Sequence, residues 1–194
     1  MSNLKIIQLL PELNIGGVER GTKDFSKALI DKGHKSIVIS NGGIFEKDII
    51  NDGGEHIKLP IHKKNPYSLF LSKQLKLIYE REKPDIVHVR SRMPAWINFL
   101  AFKKMSSKPL LVSTFHGLYS TPFYSQVMAQ VDHTIAISNT VKNYIIDTYN
   151  VSESKITTIP RGCDANTFNR ESAPDDWIDK WYKEFPPVSY THLT

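Results

Sequence analysis

Cysteine is almost absent from this chain of 194 residues, which contains only Cys163. One cysteine can form neither an internal disulfide nor a thiolate cluster for zinc, so its scarcity favours a reducing compartment. Long apolar runs are also missing: no stretch of about 18 apolar residues occurs, and no basic region with a long apolar run follows Met1. The sequence therefore predicts neither a membrane-spanning helix nor a signal peptide, and we expect the chain in the cytoplasm.

Several familiar catalytic and binding patterns are missing too. The sequence has no Ser-His-Asp order, no HExxH and no paired spacing of metal ligands, so hydrolase and metalloenzyme functions find no support. It contains neither GxGxxG nor a P-loop, which argues against NAD or ATP bound by the usual routes. No helix-turn-helix or zinc-finger spacing appears, which argues against nucleic acid as a partner.

Positive charge is concentrated in one segment. The whole chain has 25 Lys plus Arg against 20 Asp plus Glu, yet residues 62–108 hold 11 basic residues against 3 acidic ones, a local charge of +8. Such a segment attracts anionic lipid headgroups or phosphorylated substrates, or it is simply a solvated face. Because its lysines are not interleaved with aromatic residues, it does not resemble a platform for single-stranded nucleic acid.

Short apolar runs alternate with segments of helical periodicity along the chain. A length of 194 residues fits one domain. Parallel neighbouring strands need crossover connections, and these are usually helices. We therefore predict a doubly wound, mostly parallel α/β sheet that is Rossmann-like, with helices on both faces. The predicted strands are residues 4–10, 36–40, 55–59, 85–89, 109–115, 133–137 and 155–160; the predicted helices are residues 18–32, 67–82, 94–105, 122–130, 139–149 and 174–185.

Four details of these helices are open to a structural check. In the first helix Val18, Phe25, Ala28 and Leu29 recur at helical spacing, and the helix should stop at Gly33. In the helix over 67–82, Phe70, Leu71, Leu75 and Ile78 should share one stripe. Ser138 should cap the helix that follows it, which we favour over a role in ligand binding. Trp177 and Trp181 should share a face of the last helix.

The loops at the carboxyl ends of the strands are the expected ligand sites in such a sheet. Gly16 and Gly17 follow the first strand at the start of a helix. Adjacent glycines let backbone N–H groups approach an anion closely, and the helix N-terminus adds partial positive charge, which suits a diphosphate. A plain turn is the alternative for this pair.

Charged and aromatic-ring side chains follow three further strands. Arg90 offers a planar fork for a carboxylate or phosphate. His116, followed by Gly117, stands directly at a strand end, where the backbone can turn sharply and the imidazole can face the crevice. His88 and His116 could each be structural residues instead. Arg161, followed by Gly162, is a second candidate contact for an anion.

Read together, these loops resemble one protein family. The segments GGVER, DIVHVRS, STFHG, IAISNTVKNYI and KITTIPRGCDANTF occur in the order seen in the N-terminal half of retaining glycosyltransferases of the family-4 type, which have the GT-B fold. The resemblance covers about residues 4–170. It implies a two-domain enzyme whose N-terminal domain binds the acceptor and whose C-terminal domain holds most of the nucleotide-sugar donor. It implies no metal and no other cofactor.

The resemblance also implies roles for the candidate residues. Gly16 and Gly17 would contact the diphosphate or sugar of the donor, and His116 would be the catalytic residue that lies beside the transferred sugar. Arg90, with the basic segment, would serve the acceptor, which we expect to be a lipid, a sugar phosphate or a cell-envelope glycan. Gly117 and Arg161 complete the substrate-binding set, although Arg161 stands where the family commonly has Asn.

The expected domain organisation follows from the same resemblance. Residues 1–170 would form the acceptor-side domain, residues 171–187 would start the interdomain segment, and residues 188–194 would be a non-native tail. The donor-binding domain would be missing in cis, so this fragment should show little transfer alone. A stand-alone module that binds sugar phosphate or an anionic membrane surface without catalysis is the alternative, and a related sugar-nucleotide epimerase is a third possibility. Peripheral contact with the inner face of a membrane fits either of the first two.

Overall fold

Seven parallel strands form one sheet in the computed structural model, which describes residues 3–63, 68, 70–162 and 175–185. Their order across the sheet is β3-β2-β1-β4-β5-β6-β7. The predicted doubly wound α/β sheet is therefore confirmed. The strands are β1 (Lys5–Leu9), β2 (Lys35–Ser40), β3 (Glu55–Lys58), β4 (Ile86–Val89), β5 (Leu110–Phe115), β6 (His133–Ala136) and β7 (Ile156–Thr158).

Helices connect the strands, as parallel pairing requires. Within the described residues they are α1 (Gly17–Asp31), α2 (Glu46–Asn51), α3 (Leu71–Glu82), α4 (Arg92–Phe102), α5 (Pro122–Ser125), α6 (Asn139–Tyr149) and α7 (Asp175–Glu184). Short 3-10 turns follow α5 and precede β7. The sequence did not predict α2, because its six residues bury only Ile49 and so leave no readable periodicity.

Both faces of the sheet are buried. Ile37 and Ile39 of β2 belong to the main core cluster, whereas Val38, which points to the opposite face, belongs to a second cluster. Successive side chains of a strand point to opposite faces, so each face has its own apolar covering. The second cluster joins Leu10 and Leu13, just after β1, to Phe45 and Ile49, just after β2.

The apolar stripes of two helices coincide only in part with the faces that the structure buries. Phe25 of α1 is 39% exposed, and Thr22 and Ser26 are buried in addition to Leu29. These hydroxyls can be buried because they are hydrogen-bonded: the Ser26 Oγ lies 2.8 Å from the Ser36 Oγ, and the Thr22 Oγ1 donates to the Val18 carbonyl at 2.8 Å.

The same correction applies near the start of α3. Phe70 is 69% exposed, whereas Ser72, Leu75 and Tyr79 are buried. The Tyr79 hydroxyl donates to the Asn98 Oδ1 at 2.6 Å, which satisfies its polar end inside the core. Hydrogen bonds to a neighbouring helix cannot be read from periodicity alone.

Two predicted helix ends are confirmed. Gly33 has a φ of +78° directly after α1, the left-handed conformation that glycine adopts without strain. At the start of α6, the Ser138 Oγ accepts a hydrogen bond from the Val141 N–H at 3.2 Å. The left-handed conformation of a glycine therefore marks the end of α1, and the hydroxyl group of a serine marks the start of α6.

The chain divides into two units, residues 1–160 and 161–194. In the second unit α7 carries the predicted aromatic face: the rings of Trp177 and Trp181 stack with centroids 5.5 Å apart, and Phe185 continues the row at 4.7 Å from Trp181. Cys163, the predicted boundary at residue 170 and the predicted tail 188–194 lie outside the described residues.

Candidate functional site

The direction in which successive strands are added to the sheet reverses between β1 and β4, and candidate residues lie close to this point. From β1 the chain adds strands on one side, through β2 and β3, and then crosses to β4 and continues on the other side. Crevices at such switch points bind ligands in open α/β sheets. Gly16 follows β1, Arg90 follows β4 and His116 follows β5, so all three come after the carboxyl ends of strands at one edge, where the ends of β1 and β5 lie two strand spacings, or about 10 Å, apart.

The glycine pair forms the entry to α1. Gly16 is extended, with a φ of 173°, and Gly17 is the first residue of the helix. The Glu19 side chain folds back over Gly16, where an added Cβ would collide with its carboxylate. A carboxylate is favoured at this position because the helix N-terminus carries partial positive charge. An incoming diphosphate would meet the same field and would have to displace the Glu19 side chain.

The loop that carries this pair is tied to the loop after β2. The Leu13 N–H donates to the Gly42 carbonyl at 2.9 Å, and the Phe45 N–H donates to the Leu13 carbonyl at 3.1 Å. Gly43 has a φ of +150°, and a Cβ there would lie only 2.5 Å from the Leu13 carbonyl carbon. Glycine is therefore required at Gly43 for the two loops to approach, a role that the sequence analysis missed although the adjacent glycines were visible.

Arg90 is part of a network at the switch point. Its Nη1 donates to the Gln8 Oε1 at 3.1 Å, and the Gln8 Nε2 donates to the Thr22 carbonyl at 3.2 Å. The Arg90 Nη2 would lie 3.4 Å from a Cβ at Gly21, so the guanidinium packs closely against α1. Arg90 thus holds β1, β4 and α1 together, one turn from the glycine pair. Its binding of a substrate anion stays a prediction.

His88 has the structural role that the sequence left open for it. Its ring is buried, its Nε2 lies 2.7 Å from the Thr114 Oγ1, and the Phe25 ring meets it edge-on at 6.0 Å. Burial, together with the positive charge of Arg90 and the neighbouring His116, holds the pKa of His88 well below its usual 6.5. His88 is therefore neutral at physiological pH and supports its neighbours.

His116 follows Phe115 at the end of β5 and is partly buried. It lies close enough to His88 for its charge to lower the pKa of His88. The chain bends at Gly117, as expected, but its φ lies outside the left-handed range, so the bend itself does not require glycine. Nothing lies within 4 Å of the position that its Cβ would occupy. A Cβ at Gly117 would therefore meet no steric conflict.

Arg92, which the sequence analysis did not single out, lies at the same edge. Its guanidinium carbon lies 4.9 Å from the Tyr119 ring centroid and 5.3 Å from the Tyr124 ring centroid. Both tyrosines follow β5, whereas Arg92 begins α4 after β4. The sequence showed little sign of this cluster, because the two tyrosines lie 27 and 32 positions after Arg92 and approach it only when β4 and β5 pair.

Arg161 belongs to the second unit, and its predicted contact with an anion stays a prediction. In the part of the chain that the structure describes, no three His, Cys, Asp or Glu side chains gather as a metal site would require. No helix among those same residues combines the length and apolar character needed to cross a bilayer.

A separate cleft of about 530 Å³ lies at the opposite edge of the sheet, between the end of α4 and the starts of β5 and β6. Phe99 and Leu110 form part of its apolar lining, and Lys103 and Lys108 contribute positive charge against a single carboxylate among the described lining residues, that of Asp132. The Lys103 Nζ lies 4.6 Å from the Phe99 ring centroid. The C-terminal end of the basic segment, residues 62–108, therefore lines this cleft.

Comparisons with known proteins agree with this arrangement. The model of Glycosyltransferase Family 4 matches residues 15–167. The crystal structure of a glycosyltransferase from Rickettsia africae ESF-5 superposes with a TM-score of 0.76 at 33% identity, covering 97% of this chain and 51% of that one. The structure of Anabaena Alr3699/HepE in complex with UDP and glucose gives a TM-score of 0.66 at 17% identity, covering 95% of this chain and 50% of that one.

Among curated proteins, a human phosphatidylinositol N-acetylglucosaminyltransferase subunit is 26% identical over 171 residues. The match covers 80% of this chain and 35% of the human protein. The chain therefore spans about a third of that relative and about half of the two solved structures.

Proposed function

Since the chain belongs to Glycosyltransferase Family 4, we propose that it forms the acceptor-side part of an enzyme that transfers a sugar from a nucleotide-sugar donor to an acceptor, with retention at the transferred carbon. The observation that carries this proposal is the meeting of the glycine pair, Arg90 and His116 at the switch point of the sheet. All of these residues fall within the segment that matches the family.

The chemistry of transfer explains what this edge would supply. As the bond between sugar and diphosphate breaks, negative charge accumulates on the leaving diphosphate. Backbone N–H groups at the start of α1 would stabilise that charge, because they are already oriented by the helix. We propose that Gly16 and Gly17 matter because they leave room for this approach. Arg90 would hold α1 in place beneath it and serve the acceptor side.

His116 would lie beside the transferred sugar. No atom lies within 4 Å of the position that a Gly117 Cβ would occupy, apart from its chain neighbours, and we propose that part of the sugar ring lies there. Since a hydrogen bond from a fixed side chain can orient a hydroxyl group, His116 would position the sugar for attack by the acceptor on the face from which the diphosphate departs.

The match accounts for about half of each solved relative. We therefore propose that residues 1–194 bind substrate but turn it over slowly or not at all by themselves, and that a second domain supplies most contacts to the donor. No metal is assigned a role in this proposal. Purified residues 1–194 that convert a nucleotide sugar at the rate of the complete gene product would contradict it.

The acceptor in this proposal is anionic, a lipid or a sugar phosphate, with a cell-envelope glycan as a further candidate. The basic segment and the lysine-lined cleft support it, because a cluster of cations raises the local concentration of anions. The human relative is named for phosphatidylinositol. We also propose that the protein works in the cytoplasm, in peripheral contact with the inner face of a membrane.

The alternative function is a stand-alone module that binds sugar phosphate or membrane without catalysis. Epimerisation of a sugar nucleotide is a weaker candidate, because the matching family model is that of transferases. Measured transfer by the complete gene product separates catalysis from simple binding.

Replacing His116 by Ala tests the proposal. We expect the H116A variant of the complete gene product to release nucleoside diphosphate from its nucleotide-sugar donor about 100-fold more slowly, since removing one group that acts on the transition state has effects of that order. The donor is found first by screening UDP- and GDP-sugars. The matched control is H133A, which removes a histidine at the start of β6, the end of that strand away from the His116 edge of the sheet. Unchanged turnover in H116A would leave His116 a structural residue.

A further inference from the structure

Arg92 is held between two aromatic rings rather than by an acid. Its guanidinium contacts the rings of Tyr119 and Tyr124, and its Nη1 reaches the Ser125 Oγ at 3.5 Å, the limit of a hydrogen bond. Among the described residues no carboxylate lies within ion-pair distance of it. Arg81 shows the contrast, because its Nε lies 2.6 Å from the Glu82 Oε1. The Arg92 charge is partly buried and has no structural counter-charge there.

The aromatic walls are themselves fixed. The Tyr144 hydroxyl donates to the Tyr119 carbonyl at 2.7 Å, and the Trp96 Nε1 donates to the Tyr124 carbonyl at 2.9 Å. The Tyr119 ring also packs on the buried Phe115 at 5.1 Å. These contacts tie the segment after β5 to α4 and α6, so the position of the guanidinium is set before any ligand arrives.

This arrangement has a specific chemical preference. A guanidinium has five N–H donors in one plane and pairs with two oxygens of a phosphate at once. The tyrosine contacts use the faces of the rings and leave most of those donors available. Tyrosine rings also provide flat, amphipathic surfaces on which a sugar or glycerol unit can lie.

We propose that Arg92, flanked by Tyr119 and Tyr124, binds a phosphate group of the acceptor. That the phosphate belongs to the acceptor rests on the proposed function, whereas the phosphate site itself does not. The phosphate comes either from a phospholipid headgroup or from a sugar phosphate, since both present the same oxygens to the guanidinium. Arg90 is a different case, because its guanidinium is engaged by Gln8 and packs against α1.

Direct binding to residues 1–194 tests the site without any need for catalysis. The protein contains three tryptophans, and the Trp96 Nε1 donates to the Tyr124 carbonyl. Its indole N–H signal in a nitrogen-proton correlation spectrum therefore reports on the site. The probes are glycerol 3-phosphate, glucose 1-phosphate and the short-chain lipid dihexanoyl phosphatidic acid, with glucose and glucuronate as comparisons. We expect the phosphate probes to shift the Trp96 signal saturably.

Substitutions decide what causes the binding. R92Q should weaken the phosphate probes about 10-fold or more, because it removes charge-assisted hydrogen bonds. R92K should restore only part of the affinity, since it keeps the charge but loses the planar fork. The matched control R81Q removes the same charge elsewhere and should bind as the wild type does.

Each outcome of these binding measurements supports or overturns the phosphate site and does not depend on whether the protein transfers a sugar. Arg92-dependent binding of either phosphate carrier supports the site, and the tighter carrier identifies the source of the phosphate. Binding that is equal in R92Q and wild type, or no shift of the Trp96 signal by any phosphate probe, would overturn it. Equal affinity for glucuronate would overturn the preference for phosphate. The H116A experiment measures turnover instead, so the two proposals can fail independently.

Discussion

The His88 imidazole lies in the core beside Thr114 and Phe25, and its environment has a measurable consequence. Burial keeps its pKa well below 6.5 in the folded protein, while the unfolded chain titrates near 6.5. Below that pH the unfolded state binds more protons than the folded state, so the free energy of unfolding falls as pH falls. Burial also lowers the pKa of His56, which acts in the same direction.

We expect H88Q to reduce this pH dependence. Below pH 6.5 its free energy of unfolding should fall less steeply than that of wild type, by up to about 1.4 kcal/mol per pH unit. Denaturant unfolding at a series of pH values measures the slope, which is informative even if H88Q is less stable overall. H133Q serves as the matched histidine-to-glutamine control. An unchanged slope in H88Q would mean that His88 does not remain neutral in the fold.

At the residue scale the sequence predicted which loops matter better than it predicted which atoms act. The positions of Gly16 and His116 after strands could be read from the order of apolar runs. The need for glycine at Gly43 could not, because it depends on the backbone of Leu13 in another loop. Arg92 was missed for the same reason, since its aromatic neighbours come from a different strand connection.

At the scale of elements, two helices with a serine immediately before their first residue allow a matched comparison. The Ser138 Oγ caps α6 by accepting the Val141 N–H, whereas Ser91 at the start of α4 makes no such side-chain bond. We expect S138A to lower the free energy of unfolding by about 1 kcal/mol and S91A to change it much less. Urea denaturation of both variants measures the difference. Equal losses in the two would show that the cap does not stabilise α6.

Most elements could be predicted because their patterns are local. Buried parallel strands are short apolar runs, and Gly33 and Ser138 mark helix ends through their own conformational and hydrogen-bonding properties. The faces of α1 and α3 were less predictable, because Ser26 and Tyr79 are buried only where Ser36 and Asn98 satisfy their hydroxyl groups. Such partners lie far away in sequence or on another helix.

At the scale of the whole molecule, charge is distributed unevenly and predicts membrane behaviour. We expect residues 1–194 to float with vesicles that contain anionic lipid and to dissociate as salt is raised. Replacing Lys103, Lys104 and Lys108 by Gln should weaken binding about 10-fold or more, since each lysine near such a surface contributes about 1 kcal/mol.

The control for vesicle binding changes the net charge equally. It replaces Lys27, Lys32 and Lys35, which are exposed around α1 and the start of β2, by Gln. If both triple variants bind alike, net charge rather than the lysine-lined cleft drives association. Binding that ignores both lipid charge and salt would remove the electrostatic argument altogether.

The order of the strands also bears on how the protein is made. β1 is synthesised before β2 and can pair with it soon afterwards, but its other neighbour, β4, begins about 80 residues later, with Ile6 opposite Ile86. Until β4 is synthesised, one edge of β1 has no strand to pair with. After β4 arrives, each new strand joins an edge that already exists. The sheet can therefore assemble in the direction of synthesis, and the exposed edge of β1 is the point at which a nascent chain would need protection from aggregation.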